Sequence, residues 1–242
     1  MTISKEEALR IVNEFAEEAV TLLPNRIIAV FLVGSLATEE YVPGRSDIDT
    51  ILMVSRRIRQ EEKTLIKEIA RKYRMKYRIP KGFGSVLLTE DDVAGRGENG
   101  DPELVPELMR LQKQGVLVWG SCDVSSVQEP TREAFLRYAK QFHSWLRENY
   151  IDIQPETMTF DAKVNTLLYE IRLYVWSKTG DYLFSKRKAL HRFIEIAEFG
   201  SRTELLEMAA YLEAGSCDRS LDIGALLKDV SDYVRNAIDL DR

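Results

Sequence analysis

The strongest constraint on this chain is a pair of apolar runs, Ile27 to Val33 and Ile51 to Val54, separated by Gly34-Ser35, eleven further residues and Asp47-Ile48-Asp49. Runs of this length, rich in Ile, Val and Leu, read as buried strands. A connection this short favours an antiparallel pair, because a parallel crossover needs a dozen or more residues and usually a helix. The end of the first strand then lies beside the start of the second. That brings Gly34 and Ser35 next to Asp47 and Asp49.

The residue types at this corner suit phosphates and a cation. Side chains alternate along a strand, so Asp47 and Asp49 share one face while Ile48 takes the other. Two carboxylates so close repel each other unless a cation lies between them. A hard divalent ion such as Mg²⁺ prefers oxygen ligands and shares them with phosphates. Gly34 lets a phosphate approach the backbone closely. Ser35 adds a hydroxyl, and its N–H is expected near the start of a short helix over Leu36 to Glu40, where anions are favoured. Arg45 and Ser46, just ahead of the carboxylates, can hold further phosphate oxygens. The blander reading is a turn followed by a solvated strand start. It is the weaker one, because both halves occur together and each abuts an apolar strand.

The apolar run, Gly34-Ser35, eleven residues and then Asp47-Ile48-Asp49-Thr50 resemble the signature of the DNA polymerase β-like nucleotidyltransferase superfamily. The resemblance implies transfer of a nucleoside monophosphate from a nucleoside triphosphate to a hydroxyl, with Mg²⁺ held by Asp47 and Asp49. The superfamily usually adds a third carboxylate at the start of the next strand, completing the metal site or taking the acceptor's proton.

A basic amphipathic helix is expected from Ile58 to Tyr77, and it is long enough to be a crossover, so the next strand, Phe83 to Thr89, should run parallel to the second. Its start reads Ile79-Pro80-Lys81-Gly82-Phe83-Gly84-Ser85, with Gly84 where the acid is expected. Glu90 lies six residues further on, roughly 20 Å away at ~3.3 Å per strand residue. Several alternatives stay open: an acid from the Glu98 to Glu103 loop, Asp161 or Glu170; turnover without a dedicated base; or a nucleotide-binding protein of little activity. General-base help is worth ~10²–10⁴-fold, whereas phosphoryl transfer rests mostly on positioning and charge.

Elsewhere, Ser4 with Glu7 fits a capping box ahead of a helix carrying Ala8, Ile11, Val12, Phe15 and Ala19 on one face. The charges of the basic helix region (Arg56, Arg57, Arg59, Lys63, Lys67, Arg71 and Lys72) read most simply as a solvated face. Glu90-Asp91-Asp92 reads as the cap of a short helical turn. A loop over 95–100, a helix from Pro102 to Gln114 and a short edge strand over Gly115 to Gly120 follow. From about Ser125 the pattern is helical only, over Glu129 to Tyr150, Asp161 to Lys178, Ser185 to Phe199, Arg202 to Ala214 and Leu221 to Ile238. The expected fold class is an α/β (α+β) nucleotidyltransferase domain with a small mixed sheet, residues 1–124, followed by an all-α helical bundle, residues 125–242.

Within that bundle, Asn165, Arg172, Thr179-Gly180, Ser185-Lys186 and Ala189 resemble the C-terminal domain of aminoglycoside nucleotidyltransferases of the 3″/9-adenylylating type. The resemblance implies a helical domain that closes over the nucleotide and a phosphate contact from Lys186. The alternative is a surface charge at a helix start, although a cation there is mildly unfavourable against the helix dipole. Arg172 and Asn165 either tie helices together or line an interdomain cleft. Tyr169, Tyr174, Trp176, Tyr182 and Phe184 read as core, with stacking on a base or acceptor ring as the alternative.

A net charge of −5 gives no global support for binding a nucleic-acid backbone. Cys122 and Cys217, far apart and without metal-ligand spacing, read as reduced thiols of a cytoplasmic protein. His143 and His191 belong to no zinc motif and read as helix-surface or core residues. No run has signal-peptide or membrane-spanning character, so no membrane partner is expected. The function implied is Mg²⁺-dependent transfer of AMP from ATP to a hydroxyl of a small molecule, with pyrophosphate leaving. An aminoglycoside-like antibiotic is one such acceptor, suited to an excess of acid between the domains. The alternatives are an enzyme acting on protein hydroxyls, as in toxin–antitoxin nucleotidyltransferases, and a non-catalytic nucleotide sensor.

Overall fold

The computed structural model describes residues 3–38, 40–55, 57, 59–79, 81–94, 104–153, 157–182, 185–214 and 221–239. The chain divides into two compact units, Met1–Thr131 and Arg132–Arg242.

The first unit is built on β1 (Ile27–Val33), β2 (Ile48–Val54), β3 (Phe83–Thr89) and β4 (Val116–Gly120), in the order β3-β2-β1-β4. β1 pairs antiparallel with β2 and with β4, while β2 and β3 are parallel, so the sheet is small and mixed. The parallel pair is joined by α2 (Gln60–Tyr77), the crossover that parallel strands require. Alternation sorts the two faces. Val30, Leu32, Ile48 and Leu52 pack under α1 (Lys5–Leu22) and α2 together with Phe15, Ile66 and Tyr73. Phe31, Val33, Ile51 and Met53 face the other way, against Val93 of α3 (Glu90–Val93) and Leu111 of α4 (Val105–Gln114).

Local details refine the sequence reading. The Ser4 hydroxyl accepts from the Glu7 amide at 3.1 Å, the forward half of the expected capping box. Thr89, rather than the acids after it, caps α3, accepting from the Asp92 amide. The helix expected over Leu36 to Glu40 is instead a single 3-10 turn over Gly34–Leu36, closed where Gly34 O accepts the amides of Ala37 and Thr38. The charges of α2 are not one uniform solvated face. Lys72 bonds Glu18 at 2.7 Å and Lys76 pairs with Glu14 at 3.4 Å, stapling α2 to α1. At its other end, Arg26 holds Glu62 at 2.6 Å, and this bond carries the Glu62 carboxyl down to about 2. Arg56, the loop over 95–103, Phe184 and Cys217 lie outside the described residues.

The second unit is helical, with α5 (Arg132–Leu146), α6 (Phe160–Thr179), α7 (Lys186–Ile196), α8 (Arg202–Ala214) and α9 (Ile223–Asp239). α5 runs on into a π-helical turn over Arg147–Ile151. α6 is the centre of this unit, buried on nearly all sides along Leu167–Ser177. A helix apolar all round has no surface stripe to present and must be enclosed. No helix among the described residues is long and apolar enough to cross a membrane.

Candidate active site

The site grows out of strand register. Val33 stands opposite Asp49 in the β1–β2 pair, so the chain leaves β1 at Gly34 directly beside that carboxylate. In the parallel β2–β3 pair, Asp49 stands opposite Gly84. Asp49 is therefore flanked by two glycines. A Cβ on Gly34 would lie 2.8 Å from Asp49 Oδ2, and one on Gly84 would lie 2.6 Å from Oδ1. Gly34 is needed for a second reason, its φ of +75°, which side chains other than glycine rarely adopt. Thr50 locks the register, donating to Gly84 O at 3.1 Å and accepting from the Ser85 hydroxyl at 2.6 Å.

Asp47 is exposed just ahead of β2, and the Asp49 side chain keeps 26% of its surface. The two lie on one face, as alternation requires, with Ile48 buried on the other. The Ser35 hydroxyl is buried and has no hydrogen-bond partner among the described residues. An orphan of this kind costs about 1–3 kcal/mol unless a ligand satisfies it. Ser46 accepts from the Val42 amide at 2.9 Å, closing the turn before β2 and leaving its proton to donate elsewhere. Arg45 is exposed in the same turn.

Two residues that the sequence did not single out reach this corner from α4. Arg110 Nη1 lies 4.0 Å from Asp49 Oδ2 and 3.5 Å from Glu107 Oε2. A positive charge thus already attends Asp49, and a further carboxylate stands behind it. Their signal was faint: an i, i+3 Glu–Arg pair on a helix reads as ordinary surface charge.

A cleft of about 450 Å³ opens from the same corner, with Asp47 and Asp49 at one end and Gly82–Ser85 along its wall. Lys67, Arg71 and Arg74 of α2, with Lys81, line the rest. Two of these, Lys67 and Arg71, belong to the charges expected as a solvated face.

The remaining candidates have local surroundings of their own. Glu90 opens α3 at the far end of β3, where Thr89 pairs with Val54, six residues from Gly84. Glu170 is enclosed by its own unit with no exposure, bonded to His143 Nδ1 at 2.8 Å and to the Ser231 hydroxyl at 3.3 Å. Asp161 accepts from the Tyr211 hydroxyl at 3.1 Å at the start of α6. Lys186 is the first residue of α7, where its Nζ donates to Asn165 Oδ1 at 2.8 Å, so Asn165 ties two helices together. Tyr174, Trp176 and Tyr182 are buried, whereas Tyr169 is exposed. His143 is a buried α5 residue and His191 an exposed one on α7. No group of three or more potential metal ligands occurs among the described residues.

Residues 12–94 match the family model for a nucleotidyltransferase domain. A protein of Methanocaldococcus jannaschii named "Putative protein adenylyltransferase" is 34% identical over 73 residues, which make up 30% of this chain and 73% of that protein. The fold is that of the spectinomycin adenyltransferase AAD(9) of Enterococcus faecialis, whose crystal structure contains ATP and spectinomycin. The superposition covers 97% of this chain and 99% of that one, with a TM-score of 0.69 and 14% identity.

Proposed function

The chain belongs to the nucleotidyltransferase family, and from that premise we propose that it moves AMP from ATP to a hydroxyl of a small molecule and releases pyrophosphate. The observation that carries this reading is Asp49 in register with Val33, its carboxylate set between two glycines, with the Ser35 hydroxyl, which follows the first of them, buried and without a hydrogen-bond partner among the described residues.

The donor set fits one hard divalent ion. Asp47 and Asp49 supply two carboxylates from one strand face, and Mg²⁺ characteristically takes one or two carboxylates and completes its shell with phosphates and water. Bound there, Mg²⁺ supplies charge neutralisation for the triphosphate. Gly34 keeps the backbone open to a phosphate, and the Ser35 hydroxyl donates to it. Arg45 and Ser46 meet outer phosphate oxygens. Lys186 is assigned a phosphate contact by family resemblance, a role in which Asn165 Oδ1 holds its ammonium until a phosphate replaces it. The acceptor oxygen attacks the α-phosphorus, the new P–O bond forms, and the bond to the bridging oxygen breaks, so that pyrophosphate carries away its electron pair. Gly84 offers no base, so the acceptor's proton passes to water or to a phosphate oxygen. The catalytic portion is assigned to residues 1–124 and the helical one to 125–242, in a cytoplasmic protein.

Calorimetry with MgATP and a pyrophosphate-release assay test the scheme. Asp47→Asn and Asp49→Asn should each lose Mg²⁺-dependent nucleotide binding and turnover, the latter by roughly three orders of magnitude. Unchanged behaviour in both would sink it. Spectinomycin and aminoglycosides belong in the acceptor panel because of the fold neighbour. Tight MgATP binding with no release on any acceptor would identify a nucleotide sensor instead. The name of the archaeal relative favours a second reading, transfer onto a protein hydroxyl. Labelled ATP incubated with this protein in lysate would mark a protein band in that case and a small molecule in the first.

A further inference from the structure

We propose that the acceptor is anionic: a small hydroxyl compound carrying a phosphate, which is held in the cleft between Asp49 and the basic face of α2. This rests on the transferase reading above, since it names what that site acts upon.

The charges of α2 are sorted into a neutralised side and one facing the cleft. Lys72 and Lys76 are neutralised by Glu18 and Glu14 of α1. Lys67, Arg71 and Arg74 stand at i, i+4 and i+7, and so share one helix face. These three have no ion pair among the described residues, and all three line the cleft. Like charges at this spacing destabilise a helix, so an uncompensated run beside a cavity calls for an anion from outside. Lys81 adds a fourth cation to the wall, and among the described residues the lining carboxylates are Asp47 and Asp49.

Gly84 completes the picture. It stands on the cleft wall opposite Asp49, where the superfamily usually carries a carboxylate. An acid there would repel a phosphate entering along α2, and glycine removes that repulsion. Guanidinium groups such as those of Arg71 and Arg74 recognise phosphate in a planar, two-pronged fashion. The cleft of about 450 Å³ has the size of a small-molecule site. A polycationic acceptor would be repelled by this wall.

The test uses the full chain and calorimetry with ribose 5-phosphate, ribose and MgATP as probes. Ribose 5-phosphate should bind and ribose should not. R71A/R74A, on an exposed helix face, should weaken ribose 5-phosphate by about tenfold or more with MgATP affinity and melting temperature retained. K67A/K81A should act in the same direction. Equal binding of ribose and its phosphate would overturn the proposal, as would unaltered phosphate binding in both double variants. A matching loss of MgATP binding in R71A/R74A would also overturn it, by assigning the cleft to the triphosphate. D49N separates the two readings: it should lose MgATP and keep ribose 5-phosphate. MgATP binding that survives D49N would fail the transferase reading whatever the cleft does.

Discussion

Asp49 and Glu170 are both carboxylates set among apolar neighbours, one in each unit, and their surroundings treat them oppositely. Asp49 keeps 26% of its side chain open, has a glycine on either side and forms an ion pair with Arg110 at 4.0 Å. Glu170 is fully enclosed, with one oxygen on the Ser231 hydroxyl and the other on His143 Nδ1. Burial pushes the Glu170 carboxyl up, and the bond from His143 draws it part of the way back. A buried acid with every oxygen satisfied holds a core together. One left partly open between two glycines, and lining a cleft, can also take a ligand from outside the chain. The comparison teaches that the surroundings of a carboxylate, more than the residue itself, separate structural from functional acid.

Stability gives the largest expected contrast. Glu170→Ala leaves His143 and Ser231 unpaired around a cavity and should destabilise the protein by about 3 kcal/mol in urea unfolding. Asp49→Ala, at an open position, should cost less than about 1 kcal/mol in the same experiment. Equal losses would break the comparison. Next comes Gly84→Ala, whose Cβ would meet Asp49 Oδ1 at 2.6 Å and force the carboxylate aside. A displacement of this kind should reduce turnover by roughly tenfold to a hundredfold with little change in melting temperature.

A pH series sharpens the contrast further. With its carboxyl raised by burial, Glu170 keeps its proton in the folded chain at pH values where the unfolded chain has lost it. Its contribution therefore declines as pH rises from the ordinary carboxylate range towards the folded value. Glu62 behaves oppositely: lowered to about 2 by Arg26, it stabilises the fold above the ordinary carboxylate value and loses that contribution as pH falls towards 2. Urea midpoints of Glu170→Gln against wild type should lose the first dependence and retain the second. The smallest effect is expected from Arg110→Gln. Removing a cation 4.0 Å from Asp49 should raise Mg²⁺ affinity by about fivefold, the equivalent of about 1 kcal/mol at high dielectric. A decrease by calorimetry would mean that Arg110 serves the ligand rather than competing with it.

Much of this was legible beforehand because it is local. The lengths of the apolar runs marked β1, β2 and β3, and the short link between the first two dictated their antiparallel pairing. The crossover length made β3 parallel, so the absence of an acid at Gly84 and the remoteness of Glu90 followed from counting residues. Other features were not legible. Leu36 to Glu40 carried helical composition, yet the chain makes a single 3-10 turn at Gly34–Leu36. Glu170 read as a possible spare catalytic acid until its neighbours enclosed it. The cations of α2 looked alike in sequence, and only the packing of α1 against one side distinguished Lys72 and Lys76 from Lys67, Arg71 and Arg74.

Sequence alone determined the strands, their directions and the two acids at their meeting point, because a two-residue alternation and a minimum crossover length act over a few residues of chain. Tertiary structure decided which charges are quenched and which are left facing a cavity. It brought Arg110 and Glu107 from α4 to Asp49, and it buried Glu170 while leaving the Ser35 hydroxyl without a partner among the described residues. Such outcomes depend on which side chains meet across elements some sixty residues apart in the chain, and Coulomb and hydrogen-bond energies respond to that distance in space rather than to any spacing in the sequence.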